Sequence, residues 1–159
     1  MIACNPSLIS LNNFASTGHS LSTSFHILGT YITRHLMNFY GPQAPTLKNK
    51  LLDHISWFSN LHPDSLLILG GDFNMITSLQ EKKGGRRTLS PEYTLFKSCI
   101  KSCGLIDPLP CEGYLTWNNR RGGDHQIASR LDHFLISEKV VELGGFLTTM
   151  VLPSTGSDH

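Results

Sequence analysis

An α/β fold is predicted by three features of the sequence. Leu66-Leu67-Ile68-Leu69 is a continuous aliphatic run of the kind that forms a strand covered on both faces. An amphipathic helical pattern precedes it, and a strand ended by Gly41-Pro42 comes before that, giving the order strand, helix, strand. A second helix start follows at Ser90-Pro91-Glu92.

The chain of 159 residues is long enough for one domain with a substantial core. Its 40% hydrophobic and 16% charged residues suit a folded globular chain. A net charge of +1 exerts no global pull on nucleic acid, so any basic surface must be local. The longest apolar runs are strand-sized, so no membrane span is expected, and no basic-then-apolar leader opens the chain. Cys4, Cys99, Cys103 and Cys111 lack the paired close spacing of a zinc site; Cys99 and Cys103 read as small core residues of a helix, and a reducing compartment fits them best.

Up to about Thr30 the chain is rich in Ser, Asn and Thr, with apolar patches at Leu8-Ile9 and Phe25 to Leu28, which predicts one or two weak strands. No Asp or Glu precedes Asp53 and no Glu precedes Glu81, so the first third supplies no carboxylate to any site. Ile32 to Tyr40 reads as a strand, with Tyr40 at its end as either an edge residue or a site residue. From Thr46 a helix is expected, with Leu47, Leu51, Leu52, Ile55 and Phe58 inward and Lys48, Lys50, Asp53 and His54 outward. His54 and His62 read as solvated.

The aliphatic strand then runs into Gly70-Gly71-Asp72-Phe73-Asn74. Asp72 and Asn74 either close an Asx-type turn or face a cleft together, where a carboxylate can orient water and an amide can donate to phosphoryl oxygens. Glu81-Lys82-Lys83-Gly84-Gly85-Arg86-Arg87 is a basic loop, solvated or in contact with a phosphate backbone. In the second helix Ser90 is the expected cap, Leu95, Phe96, Cys99, Ile100 and Cys103 the buried face, and Gly104 the stop. Gly113 to Asn118 reads as a strand, followed by a second basic turn with Arg120-Arg121. Trp117 is either core or a platform against a sugar or base. Arg130 to Ser137 is a further strand with Asp132 near its start; a short helix or turn from Glu138 to Leu143 and a strand around Thr148 to Leu152 lead to Gly156-Ser157-Asp158-His159.

Tyr40, Asp72, Asn74, Asp132, Asp158 and His159 are thus the polar residues at strand ends. Carboxylates that hold a divalent cation and orient water, with an amide and an imidazole for the phosphoryl oxygens, are the groups that phosphodiester hydrolysis needs. The order Tyr-Gly-Pro, Gly-Gly-Asp-Phe-Asn, Thr-Trp-Asn, Arg-Leu-Asp-His-Phe-Leu-Ile-Ser, Gly-Ser-Asp-His resembles the endonuclease/exonuclease/phosphatase superfamily, which includes apurinic endonucleases and DNase I. Gly-Gly-Asp-Phe-Asn followed by Glu-Lys-Lys-Gly-Gly looks most like the endonuclease domains of plant LINE-type non-LTR retrotransposons.

The resemblance implies a four-layer α/β sandwich, two packed mixed sheets flanked by helices, here as one partial domain over residues 1–159. It implies that Asp72 orients or deprotonates the attacking water, Asn74 binds the scissile phosphate, and Tyr40 bonds near it. His159 would stabilise the transition state, Asp132 would fix the His159 imidazole, and Asp158 would contact Mg²⁺, with Mn²⁺ as a substitute. Trp117, Asn118, Arg86, Arg87, Arg120 and Arg121 would line the groove for DNA. A nuclear location and a reverse transcriptase in the parent element would follow, with no membrane partner. The family's early strand with a metal-binding Glu has no counterpart, and both ends look clipped. That places two alternatives beside a DNA endonuclease: a noncatalytic nucleic-acid-binding remnant, and a phosphatase of the same superfamily.

Overall fold

The structure is a computed structural model that describes residues 4–86, 88, 90–142 and 148–152. Its strands are β1 (Ile9–Ser16), β2 (Ser20–Ile27), β3 (Arg34–Tyr40), β4 (Leu66–Asp72), β5 (Lys82–Lys83), β6 (Leu105–Ile106), β7 (Trp117–Asn118), β8 (Ala128–Ser129) and β9 (Asp132–Ser137). Its helices are α1 (Pro45–Leu61), α2 (Pro91–Ser102) and α3 (Glu138–Glu142). Six strands form a mixed sheet in the order β1-β2-β3-β4-β9-β6, and β5-β8-β7 form a second, small one. The α/β class with two sheets and flanking helices is therefore what the chain adopts.

The N-terminal segment is stronger than its polar composition suggests. β1 and β2 pair over their whole length as an antiparallel hairpin, with an irregularity between Asn12 and Phe14. β3 and β4 are parallel, and α1 supplies the long connection that parallel neighbours need. Pro45 sits in the first helical turn, where its missing N–H costs nothing. Leu51, Leu52, Ile55 and Phe58 of α1 and Phe96, Cys99 and Ile100 of α2 are buried on the same face of the large sheet, against Met37, Phe39, Leu67, Leu69 and Leu135. Ile55, Leu69, Phe73, Phe96 and Leu135 are fully enclosed, so truncating any one of them to Ala costs about 2–5 kcal/mol.

Several expectations are corrected. Leu47 and Leu95 are exposed, because Leu47 faces the β1–β2 turn and Leu95 faces the open groove between α1 and α2. Ser90 makes no side-chain cap; its hydroxyl serves the Glu92 carboxylate, whose pKa it lowers. The strand expected over Gly113 to Asn118 is reduced to Trp117–Asn118, because its partner β8 offers only two residues. Around Thr148 to Leu152 a single bridge joins Met150 to Glu112. His62 is not a freely solvated side chain: its ring stacks on His35 at 3.8 Å between centroids.

The other face of the large sheet presents Leu36, Asn38 and Tyr40 of β3, Ile68, Gly70 and Asp72 of β4, and Asp132 and Phe134 of β9, placed together by register. Gly70 leaves room for the Phe134 ring, which a Cβ at that position would strike. Gly71 has φ +130°, and its backbone passes so close to Phe39 that a Cβ would fall on the Phe39 carbonyl oxygen.

Candidate active site

β3, β4 and β9 bring three sequence-nominated residues into one row. Tyr40 lies opposite Asp72 across the parallel pair, and Asp72 lies opposite Asp132 across the antiparallel one. Paired residues point to the same face, so a phenol and two carboxylates stand side by side at one end of the sheet. Tyr40 is 69% exposed and Asp72 only 8%, with Asp132 between them. A ligand therefore meets the tyrosine first and the carboxylates at the floor.

The turn after β4 is held by its own polar groups. The Asn74 backbone N–H donates to Asp72 Oδ1 at 2.8 Å, and its side-chain amide donates to Gly41 O at 2.6 Å and Asp72 Oδ2 at 3.2 Å. Gly41 N–H returns a bond of 2.5 Å to the Asp72 carbonyl, and Phe73 N–H donates to Leu131 O. The Asx turn and the cleft pair are thus the same object. Asn74, at φ +52°, commits its amide nitrogen to Gly41 and Asp72, so it orients the carboxylate. Thr116 Oγ1 accepts from both Leu131 and Asp132 N–H at 3.0 Å and so fixes the backbone that carries Asp132. Asp132 and Thr116 also line a mostly apolar cleft of about 300 Å³ with Phe134 and Met150 to Leu152.

Beneath this row lies a network that the sequence did not announce. Arg130 is 1% exposed and holds Glu81 Oε1 at 2.8 Å, Asp107 Oδ2 at 2.9 Å and Asp107 Oδ1 at 2.5 Å. His133 completes it, with Nδ1 2.9 Å from Asp107 Oδ2 and Nε2 3.0 Å from the Met75 carbonyl. Its two ring nitrogens thus bridge the Asp107 carboxylate and the Met75 carbonyl. The Arg130 guanidinium shared between two carboxylates is what makes their burial tolerable. Burial alone would raise the Asp107 pKa, but hydrogen bonds and charge from His133 and Arg130 hold it below the ordinary carboxylate range. Glu81 also accepts from Thr77 and Ser78, so the first residue of the basic loop is neither solvated nor turned to a phosphate backbone but is an anchor. The network ties the segment after Asn74 to the segment entering Asp132.

Glu81, Asp107 and His133 place ligand atoms within 4.8 Å of one another, donors of the types that hold metal ions. Arg130 already brings a cation to them.

The small sheet organises the basic residues. β5 and β7 both run antiparallel to β8, so the chain leaves Lys83 and Asn118 at the same end, remote from Asp132. Arg86, Arg120 and Arg121 are exposed beyond that end, while Trp117 is half-buried within the sheet. Asn118 Oδ1 accepts from Arg120 N–H at 2.9 Å and is engaged in shaping that turn. Arg87, Asp158 and His159 lie outside the described residues.

No family model and no curated protein matches the sequence. Solved structures do match. The endonuclease domain of TRAS1, a telomere-specific non-LTR retrotransposon, aligns over 87% of this chain and 60% of its own, at 19% identity and a TM-score of 0.66. A mannosyl-6-phosphatase of Bacteroides thetaiotaomicron aligns over 84% and 54%, at 13% identity and 0.55, and the human Nocturnin catalytic domain over 84% and 50%, at 16% and 0.51. The chain spans half to three-fifths of the length of these structures. The chain shares its fold with these structures.

Proposed function

We propose that this chain is a nucleic-acid-directed phosphodiesterase domain that hydrolyses DNA with Mg²⁺, of the kind found in LINE-type retroelements. The observation that carries the reading is the row of Tyr40, Asp72 and Asp132 across three adjacent strands, with Asn74 locked onto Asp72. Mg²⁺ would sit among the oxygens of Asp72, Asp132 and Asp158 and supply charge stabilisation to the phosphoryl group. Asp72, shielded from bulk water and aligned by Asn74, orients the attacking water and accepts its proton. The longer of the two Asn74 amide contacts, to Asp72 Oδ2, is the one a phosphoryl oxygen would displace. Tyr40 donates its hydroxyl at the open side; as the resemblance implies, His159, outside the described residues, would stabilise the developing charge on phosphorus, with Asp132 fixing its ring. Arg86, Arg120 and Arg121, exposed beyond one end of the small sheet, would take the strand's phosphates at a distance from the bond that breaks, with Arg87, next to Arg86 in sequence, as a further contact.

Nicking of supercoiled plasmid, with and without Mg²⁺, tests this on the chain and on Asp72→Ala, Asp132→Ala and His159→Ala. Mg²⁺-dependent nicking that falls at least 100-fold in each folded variant supports the reading. Salt-sensitive DNA binding with no nicking would instead make the chain a binding module, and hydrolysis of small phosphoesters alone would make it a phosphatase.

A further inference from the structure

The two thiols of α2 face α1, away from the carboxylate row. Cys99 and Cys103, one helical turn apart, share Ser56: its Oγ is 3.5 Å from Cys99 Sγ and 3.7 Å from Cys103 Sγ. Cys99 Sγ is also 3.6 Å from the Leu52 carbonyl. Cys99 is buried, whereas Cys103 is half-exposed and opens onto a cleft of about 360 Å³ between α1, α2 and α3. Ser59 and Ser102 line the same cleft. The Ser59 hydroxyl is a second, independent observation: the residue is 7% exposed, and its Oγ has no hydrogen-bond partner among the described residues. A buried donor without an acceptor is costly, and an anionic sulfur at the cleft floor is the acceptor it lacks.

We propose that Cys103 is a thiol-exchange site that captures low-molecular-weight disulfides, with the cleft as the pocket for the incoming group. The Cys103 thiol gives its proton to solvent, and the sulfur attacks one sulfur of R–S–S–R. The Cys103 S–S bond forms as the R–S bond to the second sulfur breaks, and RS⁻ leaves and takes up a proton. Cys99 stays a thiol and acts as a positioning donor.

The surroundings favour the reactive form. The neighbouring Cys99 side chain, followed by the serine hydroxyls around the sulfur, holds the Cys103 thiol well below its ordinary value against burial, while Cys99 is pushed up. Hydroxyl hydrogens rotate to suit the sulfur. The carbonyls of the last α2 turn are already capped: Cys99 O by Cys103 N–H and Ser102 Oγ, and Lys101 O by Gly104 N–H. Around the cleft stand His62 after α1 and Glu138, Lys139 and Glu142 of α3, with Asp53 of α1 on the Cys99 side. Lys139 is the cation among them, and it already holds Asp64 at 3.1 Å.

The test uses the full chain with its four cysteines intact, so that Cys111, which is exposed, is an internal standard. The protein is pulsed with 4,4′-dithiodipyridine from pH 4.5 to 9, and fragment-ion mass spectrometry assigns the label. At pH 6 Cys103 is expected to react at least 10-fold faster than Cys111, with a rate profile whose midpoint lies below the usual thiol value of about 8.5. Ser59→Ala should move that midpoint upward and slow labelling at pH 6 at least threefold, while Cys111 is unchanged. Cys103 labelled no faster than Cys111 at pH 6, or Cys99 labelled in its place, overturns the proposal. Because the first comparison needs no variant, misfolding of a mutant does not protect it.

Discussion

Asp72 and Asp132 stand directly opposite each other on neighbouring antiparallel strands, one nearly buried and the other half-exposed. Like charges at paired positions repel, and on the proposed function a cation would offset that repulsion. Replacing Asp132 by Asn should stabilise the metal-free chain by about 0.5–1 kcal/mol in urea titrations. On the proposed function millimolar Mg²⁺ should raise the Tm of the unaltered protein, and the same variant should lose that rise. A parent chain whose Tm ignores Mg²⁺ would remove the cation from this pair.

Arg130 neutralises two buried carboxylates, and its loss leaves them without their guanidinium. Arg130→Met should cost about 3–5 kcal/mol, near the whole stability of many domains. Arg130→Lys should recover only part of it, since an ammonium cannot span Glu81 and both oxygens of Asp107 with the same fork. Equal stabilities for the Met and Lys variants would show that the side chain's bulk, not its charge, matters here.

Glycines at positive φ are not equivalent. Gly71 and Gly104 have φ of +130° and +59°, but a Cβ meets the Phe39 backbone at the first and open space at the second. Gly104→Ala should therefore lose about 1 kcal/mol, and Gly71→Ala should fail to give a soluble folded protein. Comparable denaturation midpoints for the two would contradict the close approach of β3 and β4.

Acid should loosen the α1 end of the sheet before the carboxylates respond. Burial, reinforced by the charges of His62 and His26, lowers the His35 pKa from 6.5 to about 4, and burial lowers that of His62. The unfolded chain then takes up protons near pH 6.5 while the folded one does not until about pH 4. Stability is therefore full above 6.5 and declines through that window, by on the order of 1 kcal/mol once solvent screening of these partly exposed rings is allowed for. His35→Leu should flatten the decline, as followed by Tm at pH 7, 6, 5 and 4.

Those elements whose signal is local were readable in the sequence. The aliphatic run of β4, the periodic face of α1 and the Gly-Gly-Asp-Phe-Asn turn each lie within one short window, and Tyr40, Asp72 and Asp132 were found through strand ends. The buried network was not readable, because Glu81 and Arg130 lie 49 residues apart and Arg130 and Asp107 lie 23 apart. In the string Glu81-Lys82-Lys83 a carboxylate looks solvated; only its distant partner makes burial tolerable. His133 carried a faint signal, an imidazole inside an apolar strand, which in a core needs two partners. Strands as short as β5, β7 and β8 have no periodicity to detect, so the common exit of the two basic loops emerged only from pairing.

The left-handed backbone of Asn74 restricts how this position can be probed and how it can drift. Alanine there changes two things together, removing the amide and straining the turn that aims Asp72, so its kinetic effect has no single meaning. Glycine keeps the turn and deletes the amide, while aspartate keeps the turn and adds a charge. Between them they separate geometry from chemistry. A lineage wandering through neutral substitutions is confined to the same narrow alphabet, so position 74 should stay Asn, Asp or Gly among relatives.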